Sequence, residues 1–203
     1  EPRPAREGGP GPVTEAVSWS GRLLVATPLL TEDTFARTVV QLLQHDEDDG
    51  ALGVVVNRPS HTPLSEVLPG WALLSPEPVS VFIGGPVQQS AAICLGRLHA
   101  PPAEPVAEDP SYVVVPGAPW LGTVDLDLEA ADPVQEVRVF AGYAGWSAGQ
   151  LEAEVAEGAW WVCDALPGDC FSPDPAHLWR DVLRRQGMPL ALVASYPADP
   201  SLN

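Results

Sequence analysis

The most suggestive polar motif in this sequence is Asn57-Arg58-Pro59, at the end of a predicted strand. Because the residue before a proline is held in an extended conformation, Pro59 would orient the Arg58 side chain. An arginine fork held in this way can bind a carboxylate or a phosphate. The alternative is that Asn57 satisfies backbone groups of a loop and Arg58 pairs with one of the many acidic residues.

Two glycine-rich stretches form the second candidate feature. Gly84-Gly85 follows a predicted strand and could cradle an anion, although close backbone packing is the favoured interpretation. Gly142 and Gly145 are predicted to break a strand that begins at Val137. A glycine turn that opens a helix offers free N–H groups to an anion. The dinucleotide and P-loop fingerprints are missing, so no cofactor is predicted.

A capped helix is predicted directly after this turn. Ser147 and Gln150 have the spacing of a capping box, and Gly158 is placed to end the helix. Capping and turn formation account for most residues of the stretch, and a ligand-binding turn is the alternative. The candidate ligand-binding residues of the whole chain are Asn57, Arg58, Gly84, Gly85, Tyr143 and Trp146.

No catalytic or metal-binding set is recognisable among the usual residue types. The four histidines lack the i, i+4 spacing of metal ligands. Ser147 lies in a G-x-S-x-G string that runs from Gly145 to Gly149, but the string is interpreted as the start of a capped helix and no hydrolase elbow is predicted. His45 lies beside Asp46 at a predicted strand end, where it could act as a base, but a lone histidine there is more often structural. The acidic segment 46–50 lacks the ligand order of a calcium loop, so it is interpreted as a hairpin turn.

The three cysteines do not predict a disulfide framework. Their number is odd and no Cys-x-x-Cys occurs, which also disfavours a zinc site. Cys163 and Cys170 flank a Pro-Gly turn and could meet. Reduced, partly buried thiols are the favoured interpretation, and Cys94 or Cys163 could form a nucleophile pair only if the fold brings a histidine close.

The charge of the chain is strongly negative. Twenty-seven acidic residues face ten basic residues, all of them arginine, for a net charge of −17. Such a chain repels nucleic acids and anionic membranes at long range, so direct nucleic-acid binding is not expected. No apolar run is long enough to span a membrane, and no signal peptide is visible. The expected partner is therefore an unidentified protein or small ligand.

Residues 1–18 are rich in proline, glycine and charge and are predicted to be a disordered tail. The remaining residues, 19–203, are predicted to form a single domain. The predicted strands are 21–28, 38–45, 51–57, 79–84, 91–95, 112–116, 137–143, 160–162 and 190–195. The predicted helices are 64–68, 147–157 and a last one opened by Asp174-Pro175 and closed by Gly187. Several hairpins and no regular βα repeat favour an α+β fold.

Four stretches, taken in order, resemble the YqgE/AlgH family of bacterial proteins. They are Gly21-Arg-Leu-Leu-Val-Ala-Thr-Pro28, Gly50-Ala-Leu-Gly-Val-Val-Val-Asn-Arg-Pro59, Gly84-Gly-Pro-Val87 and Gly142-Tyr-Ala-Gly-Trp-Ser-Ala-Gly-Gln-Leu-Glu152. The resemblance implies a cytoplasmic protein with a mixed, largely antiparallel, bifurcated sheet, a barrel-like core and flanking helices. It implies no known reaction, and the family's label of transcriptional regulator derives from a genetic link.

We therefore expect a binding or regulatory protein that acts through a protein or small-ligand partner. The alternative is an enzyme acting on a small anionic substrate, with Arg58 as the anchor and His45 or a cysteine as the reacting group. A direct DNA-binding regulator would need a contiguous basic face, which the composition disfavours.

Overall fold

The computed structural model describes residues 18–99, 111–127 and 134–196, so the predicted disordered tail lies almost entirely outside the described residues. Ten strands are formed: β1 Leu23–Ala26, β2 Val39–Asp46, β3 Gly50–Val55, β4 Pro59–Pro63, β5 Ser80–Ile83, β6 Val87–Leu98, β7 Tyr112–Val115, β8 Ala118–Val124, β9 Val134–Trp146 and β10 Trp160–Cys163. The α-helices are α1 Leu64–Val67, α2 Pro69–Ala72, α3 Gln150–Ala156, α4 Leu178–Arg185 and α5 Leu190–Val193, with a 3₁₀ helix at Asp169–Phe171. The predicted α+β class is confirmed.

The strands form a mostly antiparallel sheet in the order β10-β1-β2-β3-β9-β6-β8-β7. Strands β2 and β3 are joined by the acidic turn, which confirms the predicted hairpin. All four residues of β1 are fully buried, which explains its continuous apolar run. The sheet is not closed by hydrogen bonds between its outer strands in the described chain, so a barrel-like core is not confirmed.

The sheet branches at the long strand β9. The first part of β9 pairs with β6, and its last residues, Ala144 to Trp146, pair with β3. Strand β5 joins β9 in parallel through Phe82 and Phe140 and also pairs with β4. The branch gives the sheet two arms, and each arm buries a separate outer face.

Three apolar clusters fill the space around the two arms. The largest, the main core, lies between the inner faces of both arms, the 3₁₀ helix and α4. A second cluster packs α3 onto the β1–β3 arm, and a third packs α1 and α2 onto the β6–β9 arm. The short helices therefore owe their stability to the apolar faces they cover, since isolated helices of this length are marginal.

The predicted glycine break after Val137 is wrong, because β9 continues through both glycines to Trp146. Gly142 has a φ of +71° and lies opposite a four-residue bulge of β6, since Ala141 faces Ala92 and Tyr143 faces Val87. The positive φ bends the strand without ending it, as happens beside bulges. Sequence alone does not distinguish such a bend from a turn, because glycine favours both.

Helix α3 ends where the sequence predicts and begins later. Gly158 has a φ of +81°, and its N–H and that of Ala159 close the last turn onto the Val155 and Glu154 carbonyls. At the start, the Gln150 side chain accepts the Ser147 N–H at 3.0 Å, which is one half of the predicted capping box. The N-cap residue is Gly149, so Ser147 and Ala148 lie in the preceding turn.

Two predictions near the C-terminus are wrong. The last helix begins at Leu178 because Asp174 and Pro175 form a separate turn, in which the Asp174 carboxylate binds the His177 ring at 2.7 Å. The predicted strand 190–195 is helical, as α5. The residues of this segment that contact the main core are Leu190, Val193 and Ala194. They are spaced three and four apart, as on a helix face, but the pattern is too short to recognise in the sequence.

Candidate functional site

Asn57 is used to hold a neighbouring loop. Its Oδ1 accepts the Val39 N–H at 2.9 Å, and its Nδ2 donates to the Arg37 carbonyl at 2.9 Å. Since the residue is only 8% exposed, both contacts are shielded from water. The structure thus places Asn57 in the backbone-satisfying role that was the alternative interpretation of the motif.

Arg58 is bound to the same loop. Its Nη2 donates to the carbonyls of Asp33 at 3.1 Å and of Ala36 at 2.7 Å. The partners are backbone carbonyls, whereas the alternative interpretation of the motif named an acidic side chain. Asn57 and Arg58 together fix the segment 33–37, whose last residue, Arg37, has a φ of +55°.

The two glycine stretches meet in space. Gly84 donates its N–H to the Ala141 carbonyl at 2.8 Å, and its own carbonyl accepts the Val55 N–H at 2.8 Å. A Cβ at Gly85 would overlap the backbone of Tyr143, and one at Gly142 would lie 2.6 Å from the Gly85 oxygen. Gly84, Gly85 and Gly142 are buried, so this junction supports close backbone packing at the branch of the sheet.

The remaining two candidates lie on β9 beyond the junction. Tyr143 is half-buried against the main core. Trp146 is 7% exposed and pairs with Ala51, at the far end of β3 from Asn57. Ala51 and Asn57 are six residues apart along the strand direction, which corresponds to roughly 20 Å. The structure therefore brings Gly84, Gly85 and Tyr143 together at the junction. Arg58 meets this region only through its carbonyl, which accepts the Ile83 N–H at 2.8 Å, and Trp146 lies at the end of β9.

The glutamates of α3 are anchors that the sequence does not reveal. A single oxygen of Glu154 accepts the indole N–H of Trp146 at 2.9 Å and that of Trp160 at 2.8 Å. Glu152 contacts the His45 ring at 2.7 Å. In the sequence these residues lie off the apolar face of the helix and look solvated, because the donors come from β2, β9 and β10.

His45 has both ring nitrogens occupied. Its Nδ1 accepts the backbone N–H of Trp19 at 3.0 Å, and its Nε2 faces Glu152. With Nδ1 as an acceptor, the neutral ring carries its proton on Nε2 and donates it to the carboxylate. The His45 side chain is 1% exposed, and its ring stacks on the Trp19 ring with the centroids 4.7 Å apart. This arrangement tethers the segment before β1 to the hairpin.

The three cysteines are buried and unpaired, so Cys163 and Cys170 do not form a disulfide. Burial raises the pKa of the Cys94 thiol to about 12 and that of the Cys163 thiol to about 11. Burial also raises the pKa of Cys170, whose Sγ lies 3.5 Å from the Gln41 side chain. A thiol held neutral in this way is a poor nucleophile.

Two further charged side chains are used inside the fold. Arg138 is fully buried and donates to the carbonyls of Pro76, Glu77 and Ser172. Burial lowers the pKa of Arg138 to about 10. Arg185 binds both oxygens of Asp169, at 2.6 Å each, which joins α4 to the 3₁₀ helix.

The described residues form several concave sites, and one of about 630 Å³ lies around His45 and the acidic turn. Two others are of interest for binding. The first, here called the apolar groove, has a volume of about 430 Å³ and lies beside the edge strand β7. It is lined by Leu43, Gln44, Leu52, residues 92–94, residues 113–116, Thr123 and Val124. The second, here called the basic cleft, has a volume of about 250 Å³ and is lined by Arg37, Ala176, His177, Trp179 and Arg180. Neither contains any of the six residues predicted from the sequence.

Within the described ranges, no group of three or more histidine, cysteine, aspartate or glutamate side chains is arranged to hold a metal ion. None of the helices in those ranges is both long enough and apolar enough to cross a bilayer.

The sequence and the fold are similar to those of known bacterial proteins. A UPF0301 protein of Streptomyces avermitilis is 50% identical over 202 residues, covering 94% of this chain and 98% of its own. A UPF0301 protein of Thermobifida fusca is 46% identical over 195 residues, covering 93% of this chain and 98% of its own.

Two solved structures share the fold. A crystal structure of a Corynebacterium diphtheriae protein is 32% identical with a TM-score of 0.76, and the match covers 95% of each chain. The solution structure of the AlgH protein of Pseudomonas aeruginosa is 29% identical with a TM-score of 0.64, covering 94% of this chain and 98% of that one. The family model described as AlgH-like matches residues 23–191, which include the branched sheet and the glycine junction. The chain therefore belongs to the AlgH-like family.

Proposed function

We propose that this protein is a non-catalytic binding domain that takes a small, largely apolar ligand in the apolar groove. The observation that carries the proposal is the groove itself. Its volume of about 430 Å³ lies within the usual range for small-molecule sites, about 300–1,000 Å³.

The walls of the groove define the chemistry of the ligand. Leu43 and Val115 belong to the main core, and Leu52 and Ile93 pack against it, so the floor is apolar and well supported. The side chains of Gln44 and Thr123 add polar groups that can orient a ligand. Val113 is 68% exposed, an unusual state for a valine, and a ligand in the groove would cover it. These features favour a mostly apolar molecule that carries one polar group.

The catalytic alternative receives less support from the geometry. The Arg58 guanidinium is engaged by two backbone carbonyls, and His45 lies at the opposite end of the β2–β3 hairpin, roughly 20 Å away by strand length. Cys94 lines the groove, but it is 2% exposed and its thiol pKa is raised to about 12. A substrate anchored at Arg58 would therefore not meet His45, and the protonated Cys94 thiol would be a poor nucleophile.

The protein would have a regulatory role if the bound ligand changed its affinity for a second protein. The resemblance to bacterial cytoplasmic proteins implies that it acts in the cytoplasm. Direct binding to nucleic acid is not part of the proposal, because the net charge is −17.

The test is a fluorescence titration with the apolar dye Nile red, followed by displacement with medium-chain fatty acids and alcohols. The groove variant is Val113→Glu, and the matched control is Leu73→Glu, at an apolar residue that is 95% exposed on the α2 side. We expect the first change to weaken dye binding by about tenfold or more, since a carboxylate beside a bound apolar molecule must be desolvated. The control should bind as the wild type does.

Equal binding by the wild type and Val113→Glu would overturn the proposal, as would an absence of dye binding. Dye binding that no small molecule displaces, but that a peptide displaces, would replace the small ligand by a protein partner at the same groove.

A further inference from the structure

The basic cleft is the feature that neither the sequence motifs nor the proposed groove explains. It lies between the loop before β2 and the start of α4 and contains Arg37, His177 and Arg180 in a volume of about 250 Å³. Three side chains that carry or can take up a positive charge therefore line one small concavity of a strongly acidic protein.

The α4 side of the cleft is held firmly. Trp179 is 2% exposed, and its indole N–H donates to the Ala26 carbonyl of β1 at 2.8 Å. Arg180 follows directly in the same helical turn, so its backbone position is fixed by that anchor. The Arg37 guanidinium lies over the Trp179 ring, 4.8 Å from the ring centroid.

The loop side is held by the Asn57-Arg58 motif. Asn57 binds the Arg37 carbonyl, and Arg58 binds the Ala36 carbonyl. These contacts keep Arg37 in a left-handed conformation, with a φ of +55°, that residues other than glycine, asparagine and aspartate rarely adopt. The motif therefore acts as a support for Arg37, whose Nη2 donates to the Tyr196 carbonyl at 2.7 Å.

The charge balance of the cleft distinguishes it from the other arginine sites. Within 18–99, 111–127 and 134–196, every arginine except Arg180 takes part in a hydrogen bond or an ion pair with the protein. Arg180 is half-buried and lies close enough to Arg37 to repel it. Two guanidinium groups this close repel each other, and an anion bound at Arg180 would offset that repulsion.

The start of α4 adds hydrogen-bond donors on the same side. The backbone N–H groups of Trp179 and Arg180 have no acceptor in the described part of the chain, as is usual in a first helical turn. Such N–H groups and the helix dipole favour a bound anion. The His177 ring is held by Asp174 through Nδ1, which leaves Nε2 as the ring atom available to a ligand.

We propose that the basic cleft binds a small phosphate-type dianion, either free phosphate or the phosphate group of a small phosphomonoester. Arg180 donates to the oxygens of the anion, and Arg37 supplies a second fixed positive charge. Two guanidinium groups match a dianion better than a single carboxylate. A volume of about 250 Å³ is below the usual range for drug-sized ligands, so a phosphate group fits the cleft better than a whole nucleotide. This site is independent of the apolar groove.

The test is isothermal titration calorimetry of the full chain with inorganic phosphate at neutral pH, at an ionic strength matched with chloride. We expect a dissociation constant below about 1 mM. The test variant is Arg180→Gln, which removes the charge of a half-buried side chain that has no partner to lose. The matched control is Arg184→Gln, one turn later on α4, where the side chain is 65% exposed and makes a loose 3.7 Å contact with Asp181.

Arg180→Gln should weaken phosphate binding by about tenfold or more, and Arg184→Gln should leave it within about twofold, because a charge-assisted hydrogen bond is lost only in the first variant. Equal weakening in both variants would mean that phosphate responds only to the overall positive charge of α4 and not to Arg180 itself. That result would overturn the proposal. An equal binding heat on titration with chloride would overturn it as well.

Glycerol phosphate and acetate are the two further titrants. Tighter binding of the phosphomonoester than of phosphate identifies an esterified ligand. Acetate binding as tight as phosphate overturns the dianion assignment.

Discussion

Glu154 joins three elements through a single carboxylate oxygen. The indoles of Trp146 on β9 and Trp160 on β10 both donate to it, and the two rings meet edge to face at 6.0 Å. The other oxygen accepts from Gln150 at 2.9 Å, one turn earlier in α3. The helix is therefore oriented by a polar contact as well as by the apolar cluster beneath it.

We expect Glu154→Ala to reduce the free energy of unfolding by about 2–3 kcal/mol, because two hydrogen bonds from buried indoles to a charged group are lost. For a chain of this size, that loss lowers the melting temperature by roughly 5–10 °C. Thermal denaturation followed by tryptophan fluorescence measures it. The control is Glu157→Ala on the same helix, at an exposed residue, which should change stability by less than about 0.5 kcal/mol. Similar shifts in the two variants would show that the indole contacts are unimportant.

At the scale of elements, the glycine junction decides how the sheet branches. Gly84 and Gly85 follow β5, and Gly142 lies within β9, where the two backbones approach too closely for side chains. Strand β3 then takes the place of β5 along the remaining length of β9. A Cβ at these positions would force β5 and β9 apart, so their close approach requires glycine.

We expect Gly142→Ala to destabilise the protein by about 3 kcal/mol, from the left-handed φ of +71° and from a Cβ that would lie 2.6 Å from the Gly85 oxygen. Urea unfolding measures the change. Gly70→Ala in α2 is the control, since no atom lies within 4 Å of a Cβ at that exposed position. A loss no larger than that of the control would show that the backbones can separate at the junction without cost.

At the scale of the whole molecule, no lysine contributes to titration at alkaline pH, because the chain contains none. The three thiols are buried, and burial raises the pKa of each above its ordinary value of 9.0. In the unfolded chain the thiols lose their protons near pH 9, whereas Cys163 keeps its proton to about pH 11 and Cys94 to about pH 12 in the native protein. Their contribution to stability is complete below pH 9 and is lost as the pH rises towards the native values.

The free energy of unfolding should therefore fall between pH 9 and pH 11, by about 1.4 kcal/mol per pH unit for each thiol that is fully ionised only in the unfolded state. Urea midpoints measured across this range test the slope. Cys94→Ala should remove the contribution of one thiol from the slope of the unfolding free energy against pH. This holds even if the variant is less stable at neutral pH. A slope that is unchanged in this variant would mean that Cys94 ionises equally in the folded and unfolded chains.

The sequence by itself determined the local features that short-range rules control. Apolar runs and turn residues predicted β1, the β2–β3 hairpin and β10, and the helix-ending role of Gly158 is confirmed. The order of four motifs predicted the family, which the comparisons confirm. These signals are readable because each depends on neighbours in the chain, through side-chain alternation, φ preferences and capping.

Tertiary structure alone decided which polar groups are engaged and which are open. The side chains of Asn57 and Arg58 donate hydrogen bonds to a loop some twenty residues earlier in the sequence. The Glu154 carboxylate accepts hydrogen bonds from two indoles on other strands. The residues of the basic cleft come together only because β1 and the Trp179 indole dock α4 beside the loop that precedes β2. Long-range pairing of this kind leaves no periodic signal in the sequence, since the partners are set by how the branched sheet packs against its helices. The proposed phosphate site therefore lies beside Arg37, the residue that the motif supports, and not at the motif itself.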